Sequence, residues 1–360
     1  MADPVTSVEE ITEKVLSGER IDEVEALTLF EETGLAQLGH LANEVRKRLH
    51  PEPIVTYVID RNINYTNICV SGCKFCAYYR APGEPEGYVL DEDTLRIKIE
   101  ETISLGGTQI LLQGGLHPDL SIEYYERLFG FIKDNFNIHI HALSPPEVIH
   151  ISTLTGLGIR KVLKRLQAAG LDSIPGGGAE ILVDRVRKII SPRKASASQW
   201  LQVMEEAHGL GMRTTATMMF GHVETREERI EHLSRLRELQ DKTGGFTAFI
   251  PWPFQPKNTA LPMQESTGEE YLRTLAVSRI FLDNFANVQA SWVTQGPKVA
   301  QIALYFGAND FGSTMIEENV VAATGVAHRL SEQEMRRLIE EAGFRPCQRL
   351  MDYTLVESKG

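Results

Sequence analysis

The chain has 360 residues, 42 % apolar and 24 % charged, with 37 Lys and Arg against 49 Asp and Glu for a formal charge of −12. That composition supports a full globular core, and its acidic balance argues against a nucleic-acid partner, because phosphate binding wants a basic footprint. No apolar run reaches the roughly 18 residues of a membrane span, and the start Met1-Ala-Asp-Pro-Val-Thr6 lacks the basic and apolar regions of a secretory signal, so a cytoplasmic protein with no membrane contact is expected.

Residues 1–50 read as helix. Val8 to Leu16 and Ile21 to Leu49 carry apolar residues at three- and four-residue spacing, and Pro51-Glu-Pro53 closes the segment. Strand-then-helix units follow. Val55 to Ile59 and Asn62 to Thr66 lead into a loop that holds Cys69, Cys73 and Cys76. Asp91 is placed to cap a helix with Leu95, Ile99 and Ile103 on one face, and Gly106-Gly107 ends it. Further strands are predicted at 108–112, 137–142, 171–174, 213–220, 245–250, 287–293 and 308–311, with helices between them. Eight such alternations indicate a parallel sheet, and residues 51–316 suit a closed (β/α)8 barrel of the TIM type. The remainder, 317–360, reads as an extension of helix, helix and a short Arg349 to Val356 segment packed back on the barrel.

One face of several strands is polar. Asn62, Asn64 and Thr66 alternate with Ile63 and Tyr65; His139 and His141 with Ile138 and Ile140; Thr215 and Thr217 flank Ala216; Gln289 and Ser291 alternate with Val288, Ala290 and Trp292. Side chains alternate faces along a strand, and the outer helices need the apolar face, so the polar face is expected inside. Unpartnered buried polar groups cost a few kcal/mol each, roughly, so the lumen is expected to hold a large polar ligand and water.

Three thiols at gaps of four and three residues can turn inward from one loop. Three protein ligands suit an iron–sulfur cube with one iron left open; a structural zinc knuckle needs a fourth ligand, and the remaining cysteine, Cys347, is far downstream and reads as a spare buried thiol. Beyond the second strand comes Gln113-Gly114-Gly115-Leu-His117-Pro118, and beyond the fourth Pro175-Gly-Gly-Gly-Ala-Glu180. Glycine pairs also suit ordinary turns. Barrel enzymes carry their chemistry on these carboxyl-end loops.

Cys69-x3-Cys73-x-Phe75-Cys76 is similar to the signature of the radical S-adenosylmethionine (SAM) superfamily. Within it, Arg61-Asn-Ile-Asn-Tyr-Thr-Asn67, His139-Ile-His-Ala-Leu-Ser-Pro145 and Pro175 to Glu180 resemble the branch of futalosine-pathway enzymes and deazaflavin synthases. Pro251-Trp-Pro-Phe-Gln-Pro256, Ser291-Trp-Val-Thr-Gln-Gly-Pro-Lys298 and Gly312-Ser-Thr-Met-Ile-Glu-Glu-Asn319 resemble dehypoxanthine futalosine cyclases more closely than aminofutalosine synthases. The resemblance implies a 4Fe–4S cluster on Cys69, Cys73 and Cys76. It implies SAM bound by Gln113, Gly114, Gly115 and Glu180, with its adenine against Tyr78 and the element around Met219, where Thr217 stands in a place often taken by glycine. A 5′-deoxyadenosyl radical would take a hydrogen from the substrate, the carbon radical would close a spiro ring on the benzoate, and loss of one electron and one proton would restore aromaticity. His117, His141 and Glu317 are candidates for the proton acceptor. Asn64, Ser144, Gln289 and Ser291 are expected at the substrate, and Lys298 at its carboxylate, where a helix start and a cation coincide. Lys298 reads equally as solvated surface charge. A small electron donor such as a flavodoxin or ferredoxin is implied, and the oligomeric state is left open. The competing readings are a sister radical SAM reaction, aminofutalosine or deazaflavin synthesis, and an iron–sulfur electron-transfer protein.

Overall fold

The strand Ile54–Val58 (β1) and the strand Asp60–Asn64 (β2) form a single stretch of chain that changes sheets at Ile59. This is a computed structural model, and it describes residues 7–326 and 328–356; residues 1–6, on which the expectation about a secretory signal rests, lie outside the described residues. β2 begins a seven-stranded parallel sheet that follows chain order through β3 (Gln109–Gln113), β4 (His139–Ala142), β5 (Ser173–Ile174), β6 (Arg213–Phe220), β7 (Phe246–Pro253) and β8 (Asn287–Val288). The strand Asp310–Ser313 (β9) closes the ring. On one side Gln289 bridges to Asp310, and the Ala290 N–H donates to the Asp310 carbonyl at 2.9 Å. On the other, β9 pairs with β1, and the Ile316 N–H donates to the Asp60 carbonyl at 3.1 Å. The architecture is the expected α/β barrel, with helices outside.

Helix starts follow their caps. Asp91 accepts from the Thr94 N–H at 2.7 Å, and Thr225 and Glu228 form a reciprocal capping box. Leu95 and Ile99 are buried as expected, but Ile103 is exposed and Thr102 takes the buried place, because seven residues after Leu95 the helical period returns to the same face and eight after it has turned past.

Three boundaries differ from expectation. The predicted helix from Ile21 to Leu49 breaks at Thr33-Gly34 into Glu23–Glu32 and Leu35–Leu49. These pack on the outer helices Arg226–Thr243 and Gly268–Phe281, so they brace the barrel's side. The seventh strand stops at Val288 instead of Val293, because Ser291 already caps a helix and its hydroxyl pairs with Thr294 at 2.8 Å. Trp292, expected outside, therefore joins the wall of the lumen. The extension is a short 3-10 turn at Ala322–Thr324, one helix, Glu332–Glu341, and a strand, Arg345–Gln348 (β10), which adds in parallel to β1. Propensity along 317–360 does not reveal that strand, since its partner lies near the other end of the sequence. Cys347 sits on it, half-buried.

Candidate active site

A cavity of about 420 Å³ occupies the barrel from the cysteine loop to the floor, a size ordinary for a small-molecule site. Its wall includes Asn62, Asn64, Gln109, His141, Thr215, Thr217, Gln289 and Ser291, while Ile63, Ile140, Ala216 and Val288 face the outer core with no exposure. The expected alternation of faces is therefore present in β2 and β6; in β4 His141 joins the wall but His139 does not, and past β8 the alternation is lost, since Ala290 and Trp292 line the cavity beside Gln289 and Ser291. Asn62 Oδ1 and Gln109 Oε1 are buried without a hydrogen-bond partner among the described residues. A polar ligand or water satisfies such atoms; an apolar one leaves them costly.

The cysteine loop is fixed from beneath and beside. The Val70 N–H donates to the Leu116 carbonyl at 3.0 Å, and the Lys74 N–H to the Ile190 carbonyl at 2.8 Å. Arg193 Nε donates to the Ser71 carbonyl at 3.1 Å, and its guanidinium covers Gly72, where an added Cβ would come within 2.2 Å of it. Gly114 and Gly115 have no positive φ, which removes the tight-turn explanation. Space is the reason: a Cβ on Gly115 would lie 2.2 Å from the Ile68 carbonyl oxygen, and one on Gly114 would enter the Tyr65 ring. The Gln113-Gly114-Gly115 run lets the second strand end pass directly under the cysteine loop.

Cys73 is buried, Cys69 and Cys76 partly so, and all three are free thiols. Burial pushes the Cys73 and Cys76 thiols up, so iron must displace their protons to bind. Among the described residues no three His, Cys, Asp or Glu groups converge at the spacing of a single ion.

Across the mouth, Glu180 holds a left-handed backbone (φ 43°), a strained state for a non-glycine residue that concentrates at functional positions. Its Oε1 accepts from Lys194 at 2.9 Å, while Oε2 is buried with no hydrogen-bond partner, 3.7 Å from Arg187. Lys194 lies 5.3 Å from the Phe75 ring centroid. Burial pulls its ammonium down, but Glu180 and Cys73 outweigh that, so it stays charged beside the thiols. Neither Lys194 nor Arg193 was legible as a site residue, because Ser191-Pro-Arg-Lys reads as a surface turn.

Glu147 was also missed. It is the third residue of the helix Pro145–Thr155, where a carboxylate reads as a cap. Its oxygens instead accept from Tyr65 Oη at 2.7 Å, Ser144 Oγ at 2.5 Å and the Gly114 N–H at 3.0 Å. Burial raises its pKa to about 7 against these three donors. Arg349, Met351 and Tyr353, from the hairpin after β10, complete the floor of the cavity.

Most expected site residues line this cavity: Cys69, Cys73, Cys76, Tyr78, Gln113, Gly114, Gly115, Glu180, Asn64, Ser144, Gln289, Ser291 and His141. Four do not. Met219 is packed in the core and supports Glu180 from behind, its N–H donating to the Glu180 carbonyl at 3.0 Å. His117 lies outside the wall, its Nδ1 accepting from the Asp119 N–H at 3.1 Å. Glu317 is engaged by Lys98 at 2.5 Å and Arg61 at 3.2 Å; despite partial burial, these cations and Asn319 hold it below the usual carboxylate range, which disfavours a base. Lys298 is exposed and absent from the wall, because Gly296 (φ 76°) breaks the helix and redirects the chain. Of the residues from Phe249 to Phe254, Ile250 and Trp252 line the cavity.

The donor set fits a cluster and SAM. Three thiols share one clamped loop, and an unpartnered carboxylate oxygen and a buried cation flank them. Among the described residues no helix is long and apolar enough to cross a membrane. A family model described as the Radical SAM superfamily matches residues 63–236, and one described as the CofH/MqnC C-terminal region matches residues 243–359. The chain is 48 % identical to cyclic dehypoxanthine futalosine synthase of Halalkalibacterium halodurans, over 98 % of this chain and 96 % of the relative. It is 41 % identical to aminodeoxyfutalosine synthase of Thermus thermophilus, over 94 % of this chain and 93 % of the relative. In fold it is similar to the FeFe-hydrogenase maturase HydG of Carboxydothermus hydrogenoformans, with a TM-score of 0.78 at 18 % identity, covering 96 % of this chain and 80 % of that one.

Proposed function

Because the chain belongs to the radical SAM superfamily, among the CofH/MqnC enzymes, we infer that it converts dehypoxanthine futalosine to cyclic dehypoxanthine futalosine on the way to menaquinone. The observation that carries this reading is the 48 % identity to such a synthase across nearly the whole chain, against 41 % to the aminodeoxyfutalosine synthase. The cyclase-like stretches after the sixth to eighth barrel strands contribute Trp252, Ser291, Trp292 and Ser313 to the cavity wall, where a barrel sets its substrate choice.

Cys69, Cys73 and Cys76 would hold a 4Fe–4S cluster, and Gln113, Gly114, Gly115, Glu180 and Tyr78 would receive SAM. Bound, these cofactors supply one electron and a hydrogen-abstracting 5′-deoxyadenosyl radical. The protein's own share is positioning and shelter. Glu147 anchors the Gly114 N–H and so fixes the backbone of the glycine pair beneath the cysteine loop. Lys194 sets the Glu180 carboxylate and offers a fixed positive charge to an anionic group. Asn64, Ser144, Gln289 and Ser291 would contact the substrate, and the barrel walls keep bulk water from a radical intermediate. Lys298, being exposed, is better read as surface charge. A small electron donor of the flavodoxin or ferredoxin class would reduce the enzyme.

Anaerobic reconstitution and turnover with dehypoxanthine futalosine, followed by mass spectrometry, tests the assignment. A product two hydrogens lighter than the substrate, formed with 5′-deoxyadenosine, supports it. A product joining the adenosyl group to an added acceptor moves the chain to the sister reaction.

A further inference from the structure

β4 and β5 carry a line of three side chains that binding leaves unused. His141 stands opposite Ser173 in the parallel register. Ser173 is wholly buried, and its Oγ lies 2.7 Å from His141 Nδ1 and 2.7 Å from His139 Nε2. A hydroxyl has one proton to give and lone pairs to receive. It donates to one imidazole while accepting an N–H from the other, so the two rings are coupled in their tautomers. When His141 donates from Nδ1, Ser173 donates to His139, and His141 Nε2 is a bare lone pair. That nitrogen makes no hydrogen bond among the described residues, and His141 belongs to the cavity wall. His139 does not line the cavity. It lies at the start of β4, toward the amino-terminal end of the barrel, and is less buried. Burial lowers the His139 pKa as well, though it stays less buried than His141; Asp172 and Asp352 favour a positive charge there and Lys133 opposes it, with Lys133 itself paired to Asp172 at 2.6 Å.

We propose that His141 takes the aromatic proton that must leave after ring closure, and that Ser173 and His139 relay it to the amino-terminal end of the barrel, away from the cysteine mouth. This rests on the cyclase reading. The ring C–H bond breaks and its proton goes to His141 Nε2; the Nδ1 proton passes to Ser173 Oγ, and the hydroxyl proton to His139 Nε2. The bonding pair stays on the ring and restores its aromaticity, and the surplus electron leaves to a one-electron acceptor of the oxidised iron–sulfur class. The relay answers a specific difficulty. Complete burial lowers the His141 pKa to about 3, so an isolated imidazole there would hold a proton poorly. Passing the charge on to the less buried His139 removes the need for it to rest at His141. His141 is thus the catalytic residue, and Ser173 and His139 act through it.

The test uses reconstituted enzyme and a substrate deuterated at the benzoate carbon that loses its hydrogen. Ser173→Ala and His139→Gln should each lower cyclic product per 5′-deoxyadenosine by about 100-fold, the scale of general-base catalysis, and raise the isotope effect for the ring C–D bond above that of wild type. Ser173→Thr, which keeps the hydroxyl, should restore both. A merely structural role would lower both products together and leave the isotope effect alone. His139→Gln, at the more open end, carries the test if Ser173→Ala does not fold. Wild-type enzyme that forms no cyclic product overturns the cyclase reading and the relay with it. Wild-type enzyme that cyclises while the variants keep its product ratio and isotope effect overturns the relay alone.

Discussion

At the floor of the barrel the buried carboxylates are fully partnered, whereas at the mouth one carboxylate oxygen and three thiols are left waiting. Asp310 accepts from Thr56 Oγ1 at 2.7 Å, from the Gly312 N–H at 2.6 Å and from Arg349, while Asp60 accepts from Gln109 Nε2 at 2.7 Å and from Ser313. The Arg349 guanidinium also lies 4.0 Å from the Tyr353 ring centroid. By contrast, Glu180 Oε2 has no hydrogen-bond partner and sits on a strained backbone. The floor's carboxylates have found their hydrogen-bond partners within the chain; the mouth's carboxylate keeps capacity for something brought from outside. That division matches the general barrel rule, with stability at one face and chemistry at the other.

The sharpest way to break this contrast is at the mouth. Cys73→Ala should abolish 4Fe–4S assembly and 5′-deoxyadenosine formation, read by iron content and product assay, with the thermal midpoint of the metal-free protein nearly unchanged. A full cluster in that variant would refute the ligand assignment. At the floor the effect should be reversed in kind. Arg349→Met leaves Asp310 buried without its cation and should cost about 3–5 kcal/mol in urea denaturation; a loss within error would mean that the network is ornamental.

Glu147, between the two ends, tests the contrast through pH. Its pKa is raised from 4.5 to about 7. Between those values the folded chain holds a proton that the unfolded chain has lost, so this group makes stability fall as pH rises through that window. Glu147→Gln removes the dependence, and the difference between wild type and variant should change by about 3 kcal/mol from pH 4 to pH 8. A flat difference curve would show that burial does not govern this carboxyl. Lys194→Gln should weaken SAM binding about tenfold, near 1.4 kcal/mol, measured by equilibrium dialysis on the anaerobic holoenzyme; unchanged affinity would remove the lysine from the site. The smallest effect is expected at Lys298→Ala, where the exposed side chain should leave the substrate Michaelis constant unaltered, and a clear rise would return it to the carboxylate role.

Much of this was readable in advance where the information is local. The cysteine loop, the strand–helix alternation and the cap at Asp91 depend on neighbours a few residues apart. The polar lumen was readable because a period of two shows in β2, β4 and β6 whatever the partner strands are. What failed was either a local competition between two outcomes or a non-local contact. β8 ends early because Ser291 turns to Thr294, a competition between strand and cap that composition alone does not decide. Glu147, Lys194 and Arg349 look like ordinary helix-start or surface charges, and only the fold brings them to Gly114, Glu180 and Asp310. Lys298 failed for the opposite reason: a helix start and a cation coincide there, but Gly296 redirects the chain and the side chain points to solvent.

The pairing of β10 with β1 has a kinetic consequence. A strand made early must wait for one made after all the others before the lower end of the ring is sealed, and contacts so far apart in sequence form slowly. During synthesis the nascent barrel therefore passes through an open-bottomed stage in which Asp310 lacks Arg349, and that stage is where chaperones or misfolding have their opportunity.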